Sequence, residues 1–141
     1  MTPDALARAC AEKMWAEDEA SRGLGMRIDH IAPGQARLSM TVAPSMVNGH
    51  GMCHGGFIFT LADSAFAFAC NTYNQQVVAA QCAITYLRPA HLHDKLIAEA
   101  TERAREGRQG IYDITIRRGE EIIAEFRGHS RTTGGTFFPA P

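Results

Sequence analysis

The sequence predicts an α+β fold: a long, curved antiparallel sheet wrapped around one buried central helix, with a further helix at the N-terminus. Three observations carry that expectation. Between Gly55 and Asn71 apolar side chains occupy nearly every helical face, among them Phe57, Ile58, Phe59, Leu61, Phe66 and Phe68. A helix that is greasy all round is buried rather than laid on a surface. Six other segments read as strands, and most of them alternate apolar and polar residues. Turn residues separate sequence neighbours at Pro33-Gly34, at Glu106 to Gly110 and at Arg118-Gly119, as antiparallel hairpins require.

Taken in order, residues 3–22 read as a helix with a weak apolar stripe of Leu6, Cys10, Met14 and Trp15. Arg22-Gly23 ends it, since glycine tolerates the left-handed cap conformation. Residues 26–31 and 36–42 alternate with period two about Pro33-Gly34 and form a hairpin, which Pro44 closes off. The central helix spans about 56–71. Strands follow at 77–87, 95–105, 110–117 and 121–130. Leu96/Ala98/Ala100, Tyr112/Ile114/Ile116 and Ile122/Ala124/Phe126 show the alternation of a sheet with one covered face. Residues 132–141 are expected to be a loose tail, and 1–141 a single domain. One sheet cannot cover an all-apolar helix completely, and it leaves its edge strands unpaired. At least a homodimer is therefore expected.

A chain of 141 residues is long enough to bury a core of its own. Its formal net charge of −1 gives no ground for a nucleic-acid or membrane-surface partner. No apolar run is long enough to cross a bilayer. No export signal is read at the N-terminus, and Cys10, Cys53, Cys70 and Cys82 show no Cys-x-x-Cys spacing. Reduced thiols and a cytoplasmic location are the expectation. The arginines gather late in the chain, at 103, 105, 108, 117, 118, 127 and 131. They read either as solvated strand faces or as contacts to the phosphates of a nucleotide-bearing substrate.

The chemistry rests on Asp63, a lone acid in the apolar helix with no cationic residue within four positions on either side. Burying an ionised carboxylate costs several kcal/mol, as an order of magnitude, unless something pairs with it or uses it. Immediately upstream, Asn48-Gly49-His50-Gly51-Met52-Cys53-His54-Gly55-Gly56 is a turn-rich entry to the same helix. A helix start offers free backbone N–H groups and a positive dipole end. A solitary carboxylate together with an anion-stabilising amide site points to acyl transfer or hydrolysis. Asp63 also has a bland reading, as a carboxylate capping a backbone N–H or paired with a distant arginine. His54 reads first as helix-entry structure, and the glycines between His50 and His54 argue against a helical metal pair. Cys53 beside His54 reads as a small packed thiol.

Asn48-Gly49-His50, Cys53-His54-Gly55-Gly56, Leu61-Ala62-Asp63 and Leu87-Arg88-Pro89, with Gly110-Ile111-Tyr112-Asp113 and Phe126-Arg127-Gly128 further on, resemble the hotdog-fold acyl-CoA thioesterases. Within that family they are most similar to the thioesterases of phenylacetic acid degradation. The resemblance implies hydrolysis of phenylacetyl-CoA or hydroxyphenylacetyl-CoA to free acid and CoA, by a tetramer built from two dimers. It implies Asp63, Gly55 and Asn48 as catalytic residues, with Asn48 facing the carbonyl or the attacking water. His54, Gly56, Ser64, Tyr86 and Arg88 are the candidate substrate contacts. Neither cofactor nor metal is implied. Asp63 acts as general base on water or attacks directly to form a mixed anhydride; the sequence leaves both open. A hotdog hydratase or dehydratase using His54 and Asp63, or a non-enzymatic acyl-CoA sensor, is the alternative. No basic recognition helix accompanies the domain to favour a regulator.

One geometric expectation goes further. Eight residues of helix span about 12 Å at 1.5 Å each, beyond the reach of an aspartate side chain. The Gly55 amide and Asp63 of one chain therefore cannot serve the same carbonyl. The site is expected to combine Gly55 and Asn48 of one subunit with Asp63 of another.

Overall fold

The computed structural model describes residues 1–139. Two helices, α1 (Pro3–Glu17) and α2 (Glu19–Gly23), precede the hairpin of β1 (Arg27–Ala32) and β2 (Gln35–Thr41). A short 3-10 turn, Pro44–Met46, leads through the glycine-rich loop to the central helix α3 (Gly55–Cys70). Four strands complete the chain: β3 (Val77–Tyr86), β4 (Lys95–Glu106), β5 (Gln109–Arg118) and β6 (Glu121–Thr132). All six strands form one antiparallel sheet in the order β1-β2-β4-β5-β6-β3. The sheet wraps α3, as expected.

The core lies between the inner sheet face and α3. Leu38, Met40, Leu96, Ala98, Ile114, Ile116 and Phe126 point inward from the strands. Leu61, Ala62, Ala65, Phe66 and Phe68 meet them from the helix. Phe66 also packs against the rings of Tyr112 and Phe126, and its ring fills the space a side chain on Gly128 would need, at 2.7 Å. That close approach explains why β6 carries a glycine beneath the helix.

Two expectations need correction. The N-terminal helix does not run unbroken over 3–22. It stops at Asp18, whose Oδ1 accepts from the Ser21 N–H at 2.9 Å and so caps a new helix, α2. An aspartate that bonds nearby backbone favours a cap over a helix interior. Nor does the C-terminal segment hang free. Asn74 Oδ1 accepts from the N–H groups of Phe137 and Phe138, each at 3.0 Å, and Lys13 Nζ donates to the Phe137 carbonyl at 2.9 Å. Positions 140 and 141 of the expected tail lie outside the described residues.

Burial of α3 is incomplete on one side. Gly56, Thr60, Asp63 and Ala67, at helical spacings of four, three and four, stay partly or fully open, and Phe57 and Phe59 are half-buried. This open stripe adjoins β3, which ends the sheet. Val78 and Tyr86 of β3 and the following Leu87 are about half exposed, at 53%, 47% and 53%. Apolar surface is therefore left open beside this helix stripe and along this sheet edge.

Candidate active site

The entry to α3 is built by its neighbours. The Asn48 side chain folds over its own turn, its Oδ1 accepting from the N–H groups of His50 at 2.9 Å and Met52 at 3.1 Å. Gly51 supplies the left-handed residue of this turn, at φ 76°. Cys53 donates its N–H to Ala90 O at 2.8 Å and His54 to Met46 O at 2.8 Å, which fixes the loop on both sides just before the helix. His54 is the N-cap residue, exposed, and makes no side-chain capping bond. As a result the N–H groups of Gly55 and Gly56 have no acceptor among the described residues. These are the orphan donors, at the positive end of a sixteen-residue helix, that an anionic oxygen would meet.

Tyr86 covers this helix start from β3. Its hydroxyl donates to Gly55 O at 2.8 Å, and its ring lies 2.8 Å from where a Cβ on Gly55 would stand. Burial pushes the Tyr86 phenol up, so it remains a donor at neutral pH. A cleft of about 480 Å³ opens here, lined on one wall by Met52, Cys53, Gly55 and Ile58 and on the other by Tyr86 to Ala90. Tyr86, Arg88 and Gly55 are thus brought together. Arg88 donates to Ile122 O at 2.8 Å and keeps Glu121 at 3.8 Å. Burial raises the Cys53 thiol, which disfavours a thiolate nucleophile beside the cleft.

Asp63 lies two turns further along, on the open stripe. Its carboxylate has neither an ion pair nor a hydrogen bond among the described residues, and burial holds it above its ordinary value of 3.8. The Cys70 and Cys82 thiols are raised chiefly by burial and further by the field of Asp63. Among the described residues Asp63 neither caps a backbone N–H nor pairs with an arginine.

Ser64 is not brought to this site. It faces the other way, nearly buried, with its Oγ 2.7 Å from Ser21 Oγ. Ser21 donates to Asp18 Oδ2 at 2.7 Å, so Ser64 supplies the remaining proton and acts as donor. The late arginines are mostly engaged elsewhere. Arg103 and Arg127 both bind Asp113, at 2.9 and 2.6 Å, and Arg127 foremost holds that carboxyl below its usual range. Arg118 binds Asp94 and Glu121, and Arg105 lies 3.6 Å over the Tyr73 ring. Arg108 and Arg131 have no ion pair among the described residues. Among those residues, too, no three His, Cys, Asp or Glu side chains are grouped to hold a metal ion.

A curved six-stranded antiparallel sheet wrapped around one central helix is the hotdog fold of thioester-processing proteins. Residues 50–124 match the thioesterase superfamily, and the chain belongs to it. It is similar to the acyl-coenzyme A thioesterase PaaI of Escherichia coli K12, with 42% identity over 127 residues covering 89% of this chain and 91% of that protein. The solved structure of E. coli PaaI, from the phenylacetic acid degradation operon, superposes with a TM-score of 0.93 at 40% identity, covering 96% of this chain and 99% of that one. A mutant of the phenylacetic acid degradation protein PaaI from Thermus thermophilus matches with a TM-score of 0.78 at 34% identity, over 81% of this chain and 98% of that one.

Proposed function

We propose that this protein hydrolyses aryl-acetyl-CoA thioesters, phenylacetyl-CoA or its ring-hydroxylated relatives, to the free acid and CoA in phenylacetate catabolism. The observation that carries the reading is Asp63: a carboxylate with no partner among the described residues, raised by burial, on a helix face left open. Thioesterase membership and the phenylacetic acid operon of the E. coli relative support the reaction class and the acyl group.

In this reading the thioester oxygen sits on the Gly55 N–H, with Asn48 beside it. Asp63 takes a proton from water as its oxygen attacks the carbonyl carbon. The tetrahedral oxyanion is held by the amide, where one such donor is typically worth roughly 100- to 1,000-fold in turnover. Collapse breaks the carbon–sulfur bond and CoA leaves as a thiolate, which takes up the proton. Direct attack by Asp63 would reach the same products through a mixed anhydride. Tyr86 and Arg88 border the acyl-CoA, with His54 and Gly56 at its turn. Because Gly55 and Asp63 stand about 12 Å apart along one helix, the working unit is a homodimer with shared sites, itself paired into a tetramer. The same reading takes the chain as one domain acting in the cytoplasm. Among the described residues no helix is long and apolar enough to cross a membrane.

The test is free-thiol release from a panel of acyl-CoAs. Phenylacetyl-CoA and hydroxyphenylacetyl-CoA should be cleaved in preference to long aliphatic thioesters. Consumption of an enoyl-CoA without release of CoA would assign a hydratase instead.

A further inference from the structure

Few hydrogen bonds tie α3 to other elements. Among the described residues, Tyr86 holds the Gly55 carbonyl at its start and Asn71 reaches Val77 just past its end. Between those points only Ser64 sends a side-chain bond to another element. Thr60 and Cys70 turn back on their own helix, donating to Gly56 O at 2.8 Å and to Ala67 O at 3.5 Å. A serine inside a helix ordinarily does the same. Ser64 instead reaches across to Ser21 at 2.7 Å, and both residues are buried, at 9% and 2% exposure.

Ser21 is itself fixed on three sides. Its N–H and its hydroxyl donate to the two carboxylate oxygens of Asp18, at 2.9 and 2.7 Å. Its carbonyl accepts from the Met26 N–H at 3.1 Å, next to the start of β1. The break between α1 and α2 thus presents a rigid acceptor to the helix that carries Asp63.

We infer, on the reading of Asp63 as the general base, that Asp18, Ser21 and Ser64 form a positioning device that sets the rotation of α3 at the turn bearing Asp63. The other contacts of that turn are less directional. Leu61, Ala62, Ala65 and Phe66 are held by apolar burial, which has no preferred direction. The far side of the turn, with Thr60, Asp63 and Ala67, is only partly covered. A side-chain tip stands about 5 Å from the helix axis, so a rotation of about ten degrees carries the carboxylate about 1 Å. A displacement of about 1 Å can cost roughly 100-fold in rate. All three residues act through Asp63, and none touches the reacting atoms.

Ser64→Ala removes the link, and Ser21→Ala removes it without altering α3 itself. In thiol release from whichever acyl-CoA the parent cleaves fastest, each should lower kcat by about tenfold to 100-fold, with KM nearly unchanged. The double variant should be no slower than either single one, because all three lack the same bond. Asn71→Ala, which cuts bonds at the end of the same helix, should keep the parental kcat in its folded fraction. Carbon-13 NMR titration of the Asp63 carboxyl, assigned with Asp63→Asn, should show a midpoint that shifts in both serine variants and stays in place in Asn71→Ala. Parental kcat in the serine variants, additive losses in the double variant, or an unmoved Asp63 midpoint would each overturn the positioning role. A parent that releases no thiol from any acyl-CoA defeats the hydrolase reading instead, and the titration then decides the positioning by itself.

Discussion

Tyr86 and Gly55, thirty-one positions apart in sequence, are bound at 2.8 Å through the phenol and the glycine carbonyl. The Gly55 carbonyl and the Gly56 N–H belong to one rigid peptide plane, so holding the first also orients the second. Removing only the hydroxyl, in Tyr86→Phe, should cost about 0.5–1.5 kcal/mol of stability and lower kcat more than it raises KM. Gly55→Ala should do more, because the new methyl would stand 2.8 Å from the Tyr86 ring. Steady-state kinetics of both variants, with denaturant unfolding alongside, decide this; equal turnover in all three proteins would remove Tyr86 from the site.

Asp63→Asn keeps the shape and removes the base. Loss of a positioned general base typically costs about 100- to 10,000-fold, and retention of more than about a tenth of the rate would place the base elsewhere. Folding and assembly should survive, since no bond within the described chain depends on that carboxylate.

The same residue sets the pH behaviour. Its folded value lies above its ordinary 3.8 because burial disfavours the charged form. Activity needs the ionised acid, so the acid limb of kcat should fall at a higher pH than an ordinary aspartate would give. Stability runs the opposite way. The folded state binds the proton more tightly, so Asp63 contributes stability below pH 3.8 that is lost as pH rises through the folded value. Asp63→Asn should lack this loss and unfold at a higher denaturant concentration than the parent at neutral pH. A parent and variant with the same pH dependence of stability would contradict the burial of the acid.

Hybrid oligomers test the division of labour. Mixed Asp63→Ala and Asn48→Ala subunits give one intact site in each hybrid dimer, so random exchange should restore about a quarter of parental activity. Complete inactivity after proven exchange would refute a shared site.

Asn71 should prove purely architectural. It is buried, donates from Nδ2 to Ala67 O at 2.8 Å and Val77 O at 3.1 Å, and accepts from the Val77 N–H at 2.8 Å. Asn71→Ala forfeits all three bonds, about 2–4 kcal/mol at roughly 1 kcal/mol each, with kcat unchanged in the molecules that remain folded. Denaturant titration reads this directly.

Much of the scaffold was legible because local pattern and tertiary role agree. The strand read at 77–87 is Val77–Tyr86, and that read at 95–105 is Lys95–Glu106. Asp63 drew notice as an acid without a local partner in an apolar run, and among the described residues it pairs with no cation. What escaped depends on distant partners. Ser64 looks like any polar neighbour of Asp63 until Ser21, forty-three positions away, takes its hydroxyl. The break at Asp18 turns on one side chain choosing the Ser21 amide over solvent. The anchored C-terminal segment needs Asn74, more than sixty residues upstream. Tyr86 could be named as a border of the ligand, but its bond to Gly55 is a property of the closed sheet.

The rim strand β3 is fastened to the central helix twice, through Asn71 and Val77 where the helix ends and through Tyr86 and Gly55 where it begins. It behaves as a strut rather than a fringe. A load applied along that border is delivered to the very amides that would cradle a reacting oxygen, so grip on the rim and readiness for chemistry are mechanically one property.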